Sequence, residues 1–138
     1  MTKIELATRV AWSFIGRPYI WGGDDPVKGF DCSGFVIEIL KSVGLLPRVG
    51  DWTAGQLSEM FPKIAAPREG CLVFYSATPG GSIIHVEYVI DDTRSIGASG
   101  GGSSTATAEI ASSQNAYIKV RPFRSRANIA SFVNPFVL

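Results

Sequence analysis

At 138 residues, with 46% hydrophobic and 18% charged residues, the chain is neither disordered nor an extended coiled coil, and it is long enough for one domain with a real core. A net charge of +1 gives no electrostatic pull toward nucleic acid or an anionic membrane, so neither is expected as a partner. Two cysteines, Cys32 and Cys71, are too few for a disulfide framework, and no run of about 18 apolar residues is present to span a membrane.

Thr2-Lys3-Ile4-Glu5 fits a capping box. Ile4, Ala7, Ala11 and Phe14 then mark one apolar face, which predicts a packing helix over about residues 3–15, closed by Gly16. This acidic, amphipathic start is not a signal-peptide core, so the chain is expected to stay in the cytoplasm as synthesised unless something carries it out. In Arg17-Pro18-Tyr19-Ile20-Trp21-Gly22-Gly23 the two aromatics are spaced to point the same way on an extended segment. They serve either as core aromatics, the default, or as cleft walls that lend a phenol to a reacting carbonyl. Asp24 to Lys28 reads as a polar surface loop.

Gly29-Phe30-Asp31-Cys32-Ser33-Gly34-Phe35 reads as the mouth of a helix. Asp31 is a good N-cap, and Val36, Ile39, Leu40 and Val43 recur at helical spacing to a stop near Gly44. Cys32 is thereby placed at the positive end of a helix dipole, beside unpaired N–H groups that favour the nucleophilic thiolate. The alternative is an ordinary buried cysteine. A third short helix starts with Asp51 or Thr53 as cap and ends by Pro62; Gln56 on it is a solvated residue or a cleft amide.

Past Pro67 the pattern changes to strands. Cys71–Tyr75, Ile83–Ile90, Ser95–Ser99 and Asn115–Arg121 are the four expected, with a hairpin turn at Asp91–Arg94 and a long loop over residues 100–116. The tail to Leu138 is apolar enough to pack back on the body. Helices first and strands after predict an α+β fold, helices against an antiparallel sheet, in one domain spanning residues 1–138.

His85 is the only histidine. If Cys32 is a nucleophile with an imidazole base, its partner is His85, which takes the thiol proton and later protonates the leaving amine. A histidine so placed can also give a thiolate–imidazolium pair. The alternative is a lone structural histidine on a strand. A zinc site is poorly supported, because two cysteines and one histidine lack ligand spacing; no metal or other cofactor is expected. Alternation puts His85, Glu87 and Val89 on one face, expected to be a partly polar cleft floor, and Val86, Tyr88 and Ile90 on a core face.

The stretches Gly16–Gly23, Gly29–Phe35, Arg68-Glu69-Gly70-Cys71-Leu72-Val73-Phe74 and His85-Val86, in that order and spacing, resemble the NlpC-type cell-wall peptidases, a papain-like cysteine peptidase family. The resemblance covers about residues 5–121 and rests on the combined motifs. It implies Cys-bearing helices packed on a His-bearing antiparallel sheet, and hydrolysis of amide bonds in peptidoglycan stem peptides, often beside D-γ-glutamyl or diaminopimelate residues. It makes Cys32 the nucleophile and His85 the base. It sets Tyr19, Asp31 and Ser33 around the cleft, with the Cys32 backbone N–H helping to bind the oxyanion. The family's polar imidazole orienter falls on Gly97, which leaves a backbone carbonyl, Glu87, Ser99 or Asn115 for that role. Cys71 replaces the usual Asp and is expected to be buried and chemically idle. The resemblance includes short phage and prophage versions that travel with tails. The alternative is therefore an inactive relative, a structural or peptide-binding partner of phage tail proteins.

Overall fold

The computed structural model describes residues 1–25 and 29–137. Helix α1 (Lys3–Ser13) begins with both arms of its capping box made: the Glu5 N–H donates to Thr2 Oγ1 at 3.0 Å, and the Thr2 N–H to Glu5 Oε2 at 2.9 Å. It stops before residue 15 because Phe14 and Ile15 donate to Ala11 and Trp12, three residues back, which tightens the last turn before Gly16 at φ +90°. A two-stranded ribbon, β1 (Asp24–Asp25) and β2 (Gly29–Phe30), follows where a loop is expected; the rest of that expected loop, residues 26–28, lies outside the described residues.

Helix α2 (Cys32–Ser42) is capped by Asp31, whose Oδ1 accepts from the Gly34 N–H at 2.7 Å. Phe35, Val36, Ile37, Ile39 and Leu40 are all buried, so α2 is apolar nearly all round. That suits a helix between α1 and a sheet. Phe14, Phe30 and Phe35 pack edge to face with centroids 5.2–6.5 Å apart, locking the helix mouth against α1. Helix α3 (Ala54–Met60) takes Thr53 as its cap, with Gln56 closing the capping box.

The sheet contains β3 (Lys63–Ile64), β4 (Leu72–Ser76), β5 (Ile83–Val89), β6 (Arg94–Ser99), β7 (Tyr117–Pro122) and β8 (Ile129–Val133), in the order β3-β8-β4-β5-β6-β7, every pair antiparallel. Strand β8 corrects the reading of the tail as mere packing. It pairs with β4, making β4 an interior strand buried at every residue. The loop over residues 100–116 contains one more helix, α4 (Ala108–Ser113), capped by Thr107 and burying only Ala111. So little apolar surface left no periodic signal. No helix among the described residues is long and apolar enough to cross a membrane.

Both sides of the sheet are covered. Helix α2 and the Val86, Tyr88 and Ile96 side form the larger core; Cys71, Val73, Tyr75, Val89, Phe123 and Phe132 form a second one opposite. His85 and Glu87 belong to that second side. They are only 4% and 0% exposed, so of the partly polar face expected from alternation His85 reaches the cleft while Glu87 lies wholly buried behind it.

Gly34 allows the first turn of α2 to approach the preceding loop. A Cβ there meets the Gly23 carbonyl oxygen and comes within 2.8 Å of Asp31 Oδ1. Gly34→Ala is expected to destabilise the fold by about 1–3 kcal/mol. A lowered urea midpoint checks this, and an unchanged midpoint contradicts it.

Candidate active site

Three elements meet at one cleft. Cys32 arrives on the first turn of α2, His85 on β5, and Tyr19 on a segment stitched between β2 and the chain before β7. The stitching is explicit: the Tyr19 N–H donates to Ala116 O at 3.0 Å and the Ile20 N–H to Phe30 O at 2.9 Å. Strands β5 and β6 pair at Tyr88–Ile96 and Val89–Ser95. Beyond that pairing the cleft is lined by Ile84 and His85 from one strand and by Ala98 and Ser99 from the other. The halting of the ladder is thus what admits the imidazole and the thiol to one space.

The cleft has two compartments that share Tyr19, Trp21, Cys32 and Ile84. One, of about 370 Å³, adds Asp31, Ser33, Asp51, Trp52 and Gln56. The other, of about 430 Å³, adds His85, Ser99, the Gly100–Gly102 turn and Arg126. Tyr19 is 5% exposed and Trp21 55%, so the first is a wall and the second an open rim. Burial, then the charges of Cys32 and Asp31, holds the Tyr19 phenol well above its ordinary range, so it stays a neutral donor. Gly101 has no side chain because the Tyr19 ring occupies that space.

Glu87 is buried completely, and its carboxylate is fully engaged. Oε2 faces His85 Nε2 at 2.6 Å and accepts from Arg121 Nη2 at 3.3 Å; Oε1 accepts from Ser95 Oγ at 2.7 Å. Burial works against the anion, but the His85 contact, the Arg121 charge and the Ser95 hydroxyl together hold Glu87 below the usual carboxylate range. The space it fills belongs to Gly97. A Cβ on Gly97 would lie 2.6 Å from Glu87 Cδ and 2.9 Å from Oε2. Of the side chains expected to face the imidazole, Glu87 makes the hydrogen bond; Ser99 and Asn115 make none with it among the described residues.

Burial acts on both members of the pair against the expected thiolate–imidazolium. Burial pushes the Cys32 thiol up to about 11 and the Asp31 charge adds to this, while the backbone N–H groups of Val86 and Ser33 and the Arg126 charge oppose it. Burial also lowers His85 below its ordinary value, against the pull of Glu87. Both shifts favour thiol and neutral imidazole over the ion pair, with desolvation opposing what the helix mouth does for the anion. No hydrogen bond joins Cys32 to His85 among the described residues, although both line one compartment. The Cys32 N–H likewise has no acceptor among them and is free to bind an oxyanion.

Cys71 is 1% exposed in the second core, its thiol also raised by burial. No group of three or more metal-ligating side chains gathers among the described residues. Ser95, Arg121 and Arg126 belong to the site yet carried no sequence signal, since the pairing of β6, β7 and β8 brings them there, while Trp52 reaches it from the segment just before α3. Gln56 is exposed and lines the cleft, so the two readings of it meet, and its side chain also closes the α3 capping box, which the sequence reading missed.

The NlpC/P60 family profile matches residues 16–125. The bifunctional muramidase/DL-endopeptidase CwlT of Bacillus subtilis is 35% identical over 96 residues, covering 68% of this chain and 29% of that protein. The probable peptidoglycan endopeptidase LytE of the same organism is 35% identical over 111 residues, covering 80% of this chain and 30% of that protein. The chain thus spans less than a third of either relative's length. The crystal structure of an NlpC/P60 family protein from Bacillus cereus superposes with a TM-score of 0.77 at 26% identity, covering 97% of this chain and 40% of that one. With helices packed on an antiparallel sheet and the family's motifs in order along it, the chain belongs to the NlpC/P60 family.

Proposed function

We propose that this domain is a cysteine peptidase that hydrolyses amide bonds in peptidoglycan stem peptides, with Cys32 as nucleophile and His85 as base. One observation carries the reading: the only imidazole in the chain shares a cleft with a thiol at a helix mouth and is backed by a buried, ionised carboxylate. The names of CwlT and LytE, endopeptidases that match most of this chain, support the substrate class.

The chemistry follows from the protonation states. With Glu87 ionised, the neutral imidazole donates Nε2–H to it and keeps Nδ1 as the free base. Substrate entering the cleft brings a carbonyl carbon to Cys32 Sγ. Sγ attacks as its proton passes to His85, and the oxyanion is held by the Cys32 N–H with the Tyr19 hydroxyl near. The C–N bond then breaks, and the amine leaves with the proton from His85. Water, deprotonated by His85, cleaves the thioester and restores the thiol. Glu87 acts through His85 as a positioning residue, and Gly97 acts by leaving Glu87 room.

Gly97 also favours the second reading, an inactive peptide-binding relative, since no polar side chain follows on β6 at that place. The Glu87 carboxylate occupying the same space supports the active one.

The test substrate is L-alanyl-γ-D-glutamyl-L-lysine, with release of the lysine amine as readout. Cys32→Ala is expected to abolish turnover, and His85→Ala to lower kcat by about a hundredfold or more. No amine release by the wild type on this or on diaminopimelate-containing stem peptides favours the inactive relative. The pH profile is a second check. Activity needs neutral His85, so it is lost as pH falls through a value below 6.5, the ordinary value from which burial lowers His85. Glu87 raises that value, so Glu87→Gln should move the acid limb lower still while reducing the plateau about tenfold or more. An unmoved limb contradicts the assignment. Gly97→Ala should reproduce much of the Glu87 defect yet cost little further in a Glu87→Ala background, where its Cβ has room; additive losses in a double-mutant cycle would show that Gly97 acts elsewhere.

A further inference from the structure

Arg126 stands out among the arginines of the chain. Arg48, Arg94 and Arg121 each pair with a carboxylate. Arg9, Arg17, Arg68 and Arg124 are exposed to solvent. Arg126 is half-buried in the cleft and has no hydrogen-bond acceptor or carboxylate among the described residues. Its guanidinium instead stacks on the Tyr75 ring at 5.4 Å. Tyr75 is itself fixed: it is fully buried, its hydroxyl donates to Phe123 O at 2.6 Å, and its ring lies 5.5 Å from the His85 ring. One buried aromatic thus sets the guanidinium relative to the imidazole. A planar fork of N–H donors, stacked on one face and unpaired at its edge, is suited to a carboxylate.

The side of the cleft matters. The leaving amine must face His85 to receive its proton, so the compartment holding His85 is the one the leaving residue enters. That compartment holds Arg126 as well. The other compartment holds Asp31 and Asp51 and lacks both histidine and arginine. The cleft is therefore polarised across Cys32, acidic on one side and basic on the other. The Arg126 charge reaches across its own half, opposing protonation of Cys32, His85 and Tyr19 alike.

We propose that Arg126 is a specificity residue that binds a free carboxylate on the leaving residue of the substrate, so that the preferred bond is one whose released amine belongs to a carboxylate-bearing amino acid. The proposal rests on the peptidase reading for the sense of the two sides, and its test separates the two. In a Cys32→Ala background, calorimetry measures binding of L-alanyl-γ-D-glutamyl-L-lysine and of the same peptide as its C-terminal amide. The acid should bind about tenfold or more tightly than the amide. Arg126→Gln should bring the acid down to the amide's affinity and leave the amide unchanged, while Arg126→Lys, a point charge without the fork, should fall between. Thermal unfolding of each variant checks that the fold is retained. Equal binding of acid and amide, an equal loss of both in Arg126→Gln, or no binding of the acid overturns the proposal. Turnover of the same two peptides by the wild type reads the peptidase separately. The discrimination should then appear mainly in KM. Acid-selective binding lost in Arg126→Gln, with neither peptide cut, supports Arg126 and removes the peptidase reading.

Discussion

A carboxylate buried to 0% exposure is the constraint from which the site follows. An isolated charge so placed would cost several kcal/mol, and removing one partner of a buried pair typically costs about 3–5 kcal/mol. Glu87 is tolerable because donors from three strands converge on it: His85 on its own strand, Ser95 on β6 and Arg121 on β7. The register Ser95–Arg121 sets two of those donors side by side, and strand alternation brings the third onto the same face. Gly97 supplies the remaining requirement, which is volume. The sheet thus fixes the imidazole twice, by a hydrogen bond at Nε2 and by the Tyr75 ring beside it.

Helix α2 is arranged to different ends. Its apolar girth holds it between α1 and the sheet, and the Asp31 cap and Gly34 let its first turn lie against the Gly22-Gly23 backbone. That placement delivers the thiol to the point where the β5–β6 ladder stops. Burial there raises the thiol's pKa, which favours the less reactive protonated sulfur. In the proposed reaction the nucleophile is made during turnover, by transfer to a base whose protonation burial disfavours. The cleft's charge is unequal across Cys32, with Asp31 and Asp51 on one side and Arg126 on the other.

Much of this was legible in the chain itself. Capping residues and helical spacing located α1, α2 and α3 to within a residue or two, because Thr2, Asp31 and Thr53 each bond to a nearby backbone N–H and so act locally. That Cys32 and His85 would come to one cleft was legible from motif and from uniqueness. What could not be read depends on contacts distant in sequence. Strand β8 is a strand because β4 offers it an edge, and α4 buries too little to mark its own periodicity. The His85–Glu87 face alternates as a cleft floor would, but Phe123 and Phe132 close over that side from the far end of the chain. Arg126 enters the cleft by the same route. Among the side chains weighed as imidazole partners, the bond to Glu87 was decided by the absence of a side chain at Gly97, a matter of packing volume that spacing does not encode.

Because His85 is the only histidine, its ring can be read without assignment ambiguity. Nitrogen-edited NMR of the imidazole across pH is the most direct measurement of the central claim. The account predicts a neutral ring at pH 7 carrying its proton on Nε2, a strongly downfield Nε2–H signal that is lost in Glu87→Ala, and titration below 6.5. A ring protonated on Nδ1 at pH 7, or one whose tautomer and titration are the same with and without the Glu87 carboxylate, would contradict it.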